Sequence, residues 1–277
     1  MSCLLVENID QANAEFWNEL CGSSLARSLG IEEASTDNLR RFDAAYFSLY
    51  PYLHEYFTDE SLEGKRVLEI GLGYGTLGQA LAEEGCDYHG LDIAAGPVGM
   101  MRYRLSQLGR FNWRGKVQIG SVLDIPYGDS SFDYVYSIGC LHHTGDIERS
   151  VSEAYRVLKD GGKAVIMLYN KHSFRLLVQV PLMRVLGIFS NMKRYKSINE
   201  KIRSLYDTSK EGSAAPHTDF VSAREVRRLF KRFPRVKIDI RNFDNFSIGG
   251  KFLLQRDWVL NNFARLLGLD LYITAVK

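Results

Sequence analysis

Glu69 to Gly75 reads E-I-G-L-G-Y-G, a carboxylate followed by three alternating glycines, directly behind the apolar pair Val67-Leu68. Gly71, Gly73 and Gly75 permit a tight turn and close backbone approach by a ligand. A helix predicted from Thr76 aims its free N–H groups at that turn. Glu69 beside the turn repels phosphate and attracts an ammonium group. Asp92 ends the next apolar run, where a carboxylate can hold both hydroxyls of a ribose. No GK[ST] follows, which excludes a P-loop, and the dinucleotide fingerprint needs glycine or alanine where Thr76 stands. Further along, His142 and His143 close the run "SIGCLHH", and His217 lies in the loop "SAAPHTDF". Histidine is the side chain best suited to move protons near neutral pH.

Alternating strand and helix signals position these groups. "RVLEI", "DYHGLDI", "KVQIGS", "FDYVYSIG" and "KAVIMLY" read as strands. Helical spacing separates them at Thr76–Glu84, Val98–Leu108 and Asp146–Leu158, with Gly161-Gly162 closing the last. Such alternation predicts a doubly wound, mostly parallel α/β sheet with helices on both faces. Ligands in such sheets bind beyond the carboxyl ends of the strands, where the strand order reverses. Residues 1–62 read as an N-terminal helical segment, with aromatic-rich helices from Gln11 to Phe57, and residues 63–170 as the α/β core. Residues 171–221 interrupt the pattern as a helical cap insertion. Residues 222–277 return to the sheet through "RVKIDIR" and "LYITAV", with an apolar helical insert, "FLLQRDWVLNNFARLLG", between them.

Composition narrows the possibilities further. At 277 residues and 45% hydrophobic the chain can bury a full core. No run is long and apolar enough to cross a bilayer, and the start "MSCLLVENID" does not read as a signal peptide. Cys3, Cys21, Cys86 and Cys140 are scattered without a CxxC pair, which fits a reducing cytoplasm and argues against a zinc site. The net charge of +2 hides an asymmetry: Lys171 to Arg241 holds 17 basic and 6 acidic residues, the remainder 18 and 27. The basic segment therefore faces something anionic or packs against the acidic part.

A carboxylate for an amine and another for a ribose suit S-adenosylmethionine better than NAD. The chain resembles the class I S-adenosylmethionine-dependent methyltransferases, closest to the small-molecule group with ubiquinone/menaquinone-type enzymes. The motifs that carry the resemblance are "VLEIGLGYG", "GLDIA", "GSVLDIPYGDSSFDYVYSIGCLHHTGD" and "EAYRVLKDGGKAVIMLY", spanning roughly Gly64 to Tyr169. It implies a seven-stranded Rossmann-like sheet and S-adenosylmethionine as cofactor. It also implies Ile93 against the adenine, Asp124 on the adenine amine, with Ile125 and Ile138 nearby, and an aromatic helix carrying Tyr46 over the cofactor. Neighbours on an extended chain point apart, so one of His142 and His143 is expected to face the substrate, and His143 is favoured as the catalytic base. His217 is a further candidate. No metal is expected, since no carboxylate pair with an asparagine stands at the fourth strand end. "SIGC" replaces the [DNS]PP[YFW] tetrapeptide usual in nucleic-acid amino-methylation, so no nucleic-acid partner is expected.

The implied reaction is methylation of a small, partly hydrophobic acceptor, oxygen favoured over nitrogen, carbon or sulfur. The alternatives are an NAD-linked oxidoreductase and a non-catalytic cofactor-sensing or partner-binding subunit. The run around Leu176, Leu177 and Val180 is expected to close over the substrate; contact with a membrane surface is the less favoured reading. Calorimetry is expected to show S-adenosylmethionine binding and no comparable binding of NAD.

Overall fold

The computed structural model describes residues 2–20, 22–58, 61–109, 115–186, 195–248 and 251–277. Three helices lead the chain: α1 (Ser2–Trp17), α2 (Ser23–Ser28) and α3 (Thr36–Leu49). The first starts well before the expected Gln11. The core then runs β1 (Arg66–Ile70), α4 (Thr76–Glu83), β2 (Asp87–Asp92), α5 (Ala95–Gln107), β3 (Val117–Ile119), β4 (Phe132–Ile138), α6 (Ile147–Val157) and β5 (Leu158–Tyr169). A π-helical turn, Arg175–Gln179, continues into α7 (Val180–Val185), followed by α8 (Ile198–Arg203) and α9 (Ala223–Leu229). The chain closes with β6 (Arg235–Arg241), a hairpin of β7 (Phe246–Ile248) and β8 (Lys251–Leu254), α10 (Arg256–Val259), α11 (Ala264–Leu267) and β9 (Asp270–Val276).

The main sheet has seven strands in the order β3-β2-β1-β4-β5-β9-β6. Only β9 runs against its neighbours, β5 and β6. The strand order reverses between β1 and β4, so the chain leaves the sheet in opposite directions there and a crevice opens beyond both carboxyl ends. Val67, Leu68 and Val135 are wholly buried because helices cover both faces.

Two expectations are corrected. The Gly161-Gly162 pair does not end a helix: Phe132 already pairs with Leu158 and Tyr134 with Lys163, so residues 159–162 loop out of the strand register, with Gly161 at φ +77°. Part of the second insert is strand rather than helix: "KFLL" pairs with Phe246–Ile248, and only four-residue helices follow. An apolar run of that length does not distinguish a strand from a buried helix by periodicity.

One buried cation ties the front of the core together. Arg104, only 1% exposed, donates twice to Asp43 on α3 (2.8 and 2.9 Å), to the Tyr74 carbonyl (2.7 Å) and to Gln79 (2.8 Å). Asp43 also accepts from the Thr76 hydroxyl at 2.6 Å. Thr76 therefore anchors α3 at the position where the dinucleotide fingerprint requires glycine or alanine.

Candidate functional site

A cavity of about 360 Å³ lies beyond the carboxyl ends of β1, β2, β4 and β5. Its floor is the turn Gly71–Gly75, where all three glycines have positive φ (+82°, +51°, +80°). The need for glycine is partly internal: a Cβ on Gly71 would lie 2.5 Å from the Cys140 Cβ, and one on Gly75 2.8 Å from Arg104. The turn is thus packed from behind as well as open in front.

Asp92 holds this turn in place. Its carboxylate accepts from the Leu72 N–H at 2.7 Å and the Ala94 N–H at 2.9 Å. Burial raises its pKa, and the Ala94 and Leu72 amides oppose the rise. Asp92 is therefore a structural anchor as well as a cavity wall. Glu69 also lines the cavity, 3% exposed, and accepts from the Tyr88 hydroxyl at 2.5 Å. Burial pushes its carboxyl up to about 8, only partly offset by the Tyr88 bond. Gly78 on α4 leaves room for it, since a Cβ there would sit 2.3 Å from Glu69 Oε2.

Ile93, Ile138 and Tyr46 line the cavity as well. Tyr46 projects from α3, its ring 5.0 Å from Tyr50, and Phe42 on the same helix stacks on Tyr74 at 4.0 Å. Asp124 does not reach the cavity; it is exposed, at the end of the short 3₁₀ turn Val122–Asp124. Ile125 is buried in the core on the other side, its N–H held by Glu153. That turn carries Asp124 away and presents Gly120, Ser121 and Val122 instead.

The histidines separate by a different mechanism from the one expected. Leu141–His143 is a 3₁₀ turn rather than extended chain. His143 lines the cavity, whereas His142 is wholly buried against Tyr169, ring centroids 4.0 Å apart. His217 is not in the cavity wall; its ring pairs with Asp219 at 3.0 Å. Its carbonyl oxygen lies 2.7 Å from His143 Nδ1, so Nδ1 carries the proton and donates. Nε2 is left with its lone pair, buried, without a hydrogen-bond partner and 3.6 Å from Asp207 Oδ2. Burial holds His143 below the ordinary imidazole value, while Asp207 pulls the other way.

Residues without a sequence motif complete this end. Asp207, with Tyr169 donating to it at 3.0 Å, and Tyr206 enter from the 171–221 insertion and β5. From α1, Asn13 donates to the His143 carbonyl at 2.8 Å and Trp17 packs on the His143 ring at 4.8 Å. Asp10, at the same helix face, lines the cavity and hydrogen-bonds Ser121. The i, i+3, i+7 spacing of Asp10, Asn13 and Trp17 was the available signal for that face. Nothing in the local sequence singled out Asp207. Leu176, Leu177 and Val180, expected to close over a substrate, are not in the cavity wall.

Glu69 yields a pH-dependent prediction. With its folded pKa near 8 against 4.5 unfolded, the folded form holds a proton that the unfolded form releases between those values. Stability linked to Glu69 is full below about pH 4.5 and is lost as pH rises through 8. Ligand-free wild type should therefore weaken relative to Glu69→Gln by a few kcal/mol between pH 4.5 and 8. Denaturant titrations of both proteins across that range check it; a parallel dependence would place the carboxylate in water.

Residues 68–166 match the family model described as a methyltransferase domain. Over 109 residues, 39% of the chain, it is 36% identical to phosphoethanolamine N-methyltransferase 2 of Caenorhabditis elegans, covering 24% of that protein. Over 151 residues, 52% of the chain, it is 28% identical to a demethylmenaquinone methyltransferase of Tropheryma whipplei, covering 61%. The chain thus spans less than two thirds of the length of either relative. The fold is shared with magnesium protoporphyrin IX methyltransferase from Synechocystis, solved with bound S-adenosylhomocysteine (TM-score 0.55, 13% identity, 97% of this chain and 99% of that one). The matched span, the seven-stranded sheet and the cavity at its switch point agree, and residues 68–166 carry a methyltransferase domain.

Proposed function

We propose that the protein transfers a methyl group from S-adenosylmethionine to a hydroxyl of a small, partly apolar acceptor. The observation that carries this reading is His143 in the cavity wall, locked as the Nδ1–H tautomer by the His217 carbonyl, with Nε2 buried, unpartnered and 3.6 Å from Asp207 Oδ2. When bound, the cofactor supplies a methyl made electrophilic by its positive sulfur. Glu69 fits its ammonium group and the Asp92 carboxylate its ribose. Beyond the ribose lies the end of β3, where Asp10 and Ser121 meet. Asp10 fits the exocyclic amine of adenine, the role that Asp124 is too far out to fill. Ile93 and Val122 offer apolar surface to the base.

Transfer to a neutral hydroxyl needs a proton acceptor, whereas a free amine or a carboxylate does not. His143 Nε2 takes that proton. The imidazolium so formed donates from Nδ1 to His217 and faces the Asp207 carboxylate from Nε2, so it is stabilised as it forms. Among the described residues lining the cavity, Asp10, Glu69, Asp92 and Asp207 are acidic and none is lysine or arginine. An acceptor carrying carboxylate or phosphate would find no lysine or arginine there to pair with. Trp17, Tyr46, Tyr169 and Tyr206 supply an apolar wall for the rest of the acceptor and exclude water from the transfer.

Two experiments test the assignment. First, isotope-labelled methyl from S-adenosylmethionine is followed into a metabolite extract, with labelled ethers as the expected products. With an acceptor so identified, His143→Gln should lower kcat by about 10²–10⁴-fold with little change in cofactor affinity. The wild-type rate should fall only below pH 6.5, and Asp207→Asn should move that limb to lower pH. A His143→Gln enzyme within threefold of wild type would remove the base. Second, calorimetry compares S-adenosylhomocysteine with its inosine analogue, whose carbonyl replaces the adenine amine. Wild type should prefer the adenine form by about ten- to a hundredfold, and Asp10→Asn should abolish or reverse that preference. Unchanged preference would take Asp10 out of the base site.

A further inference from the structure

Ten large hydrophobic residues are exposed on the described surface, and eight of them lie on the two insertions. On the helical run 175–186 the outward side carries Leu177, Val178, Val185 and Leu186, with Val185 84% exposed. The inward side carries Phe174 and the buried Val180. On the second insertion Trp258 is 68% exposed and Leu266 70%.

These two surfaces are joined. The Phe174 ring packs between Phe243, Phe246 and Phe263, with centroids 5.2 to 6.0 Å apart, and Arg175 pairs with Asp244. Both also border the cavity. The Arg175 guanidinium lies 4.2 Å over the ring of Tyr206, a cavity residue, and Arg256 on α10 donates to the carbonyl of Leu49, another. The apolar outer faces therefore flank the acceptor end rather than a remote surface.

We propose that this face docks on the surface of an anionic lipid bilayer. Residues 171–221 carry nine basic and four acidic side chains, so the apolar face sits in a positively charged segment. Apolar side chains set among cations, together with an exposed tryptophan, are the pattern of an element lying in the headgroup region. Short helices that expose a few large residues each provide shallow insertion, and no helix among the described residues is long and apolar enough to cross the membrane. Pairing with a second copy would oppose two segments of the same positive charge, at a Coulombic cost. The inference stands apart from the identity of the catalytic base. It adds that a partly apolar acceptor reaches the cavity from the bilayer.

The test uses the full chain in co-sedimentation with phosphatidylcholine vesicles, with and without phosphatidylglycerol, at low salt. Wild type should pellet with the anionic vesicles at least tenfold more than with neutral ones. The double variant Val185→Glu, Trp258→Glu should lose at least tenfold of that binding while keeping the wild-type melting temperature, because both side chains are solvent-exposed in the folded protein. Absence of wild-type pelleting, equal pelleting with neutral vesicles, or binding unaffected by the substitutions would each overturn the proposal. So would a sedimentation-velocity dimer that the double variant abolishes, which would assign the face to a second copy.

Discussion

The site depends on the carboxylate of Asp92 reaching across from β2 to the turn that leaves β1. A parallel strand that ends at a switch point must release its chain abruptly, and here three left-handed glycines allow the release. Such a turn is open to alternatives unless its amides are held. Asp92 holds Leu72 and caps its own strand end through Ala94, so the ends of β1 and β2 become one rigid edge. From behind, Arg104 fixes the Tyr74 carbonyl and binds Asp43, which carries α3 and Tyr46 into place. A buried cation with this many partners is costly to strip of any one of them. Cavity floor, front wall and aromatic flank are thus set by two ionisable side chains, Asp92 in the cavity wall and Arg104 behind it.

The α/β core was legible because its information is local. Apolar runs of strand length alternate with helical spacing, with Glu69 and Asp92 at strand ends and Gly71, Gly73 and Gly75 just beyond one. Those residues line the cavity. The Asp124 reading failed because a 3₁₀ turn of three residues rotates the chain, and the sequence "SVLD" does not announce which of its members faces inward. His143 was reached through an argument about extended chain that the turn at Leu141–His143 does not obey. Asp207 was illegible for a stronger reason: it lies more than sixty residues from His143, and only the tertiary path of the insertion brings the two within 3.6 Å.

The electrostatics of the cavity follow from the same architecture. Parallel strands deliver their side chains to one edge, and helices shield that edge from water, so each carboxylate there is desolvated. Burial raises Glu69, Asp92 and Asp207 and lowers His143. Each shift makes the ligand-free site less charged than isolated side chains would be. A cationic ligand beside Glu69 would restore its charged form and release a proton, so on the proposed placement of the cofactor its affinity and pH are linked through that residue. On the proposed assignment His143 works in the opposite sense: neutral at rest, it is charged only after it has taken a proton.

The first helix connects the two ends. Asp10 meets Ser121 at the β3 edge, while Asn13 and Trp17, one and two turns on, meet His143. Farther along, Asn18 accepts from the Gly96 amide at 2.8 Å and fixes the helix to α5. This helix contacts both the Ser121 edge and His143. A ligand that orders Asp10 therefore also orders Trp17 over the imidazole, because a single rigid helix cannot engage one without presenting the other. On the proposed assignment, with His143 as base and a hydroxyl as acceptor, cofactor occupancy and the positioning of His143 are then one event, and the methyl donor is seated before the acceptor meets His143.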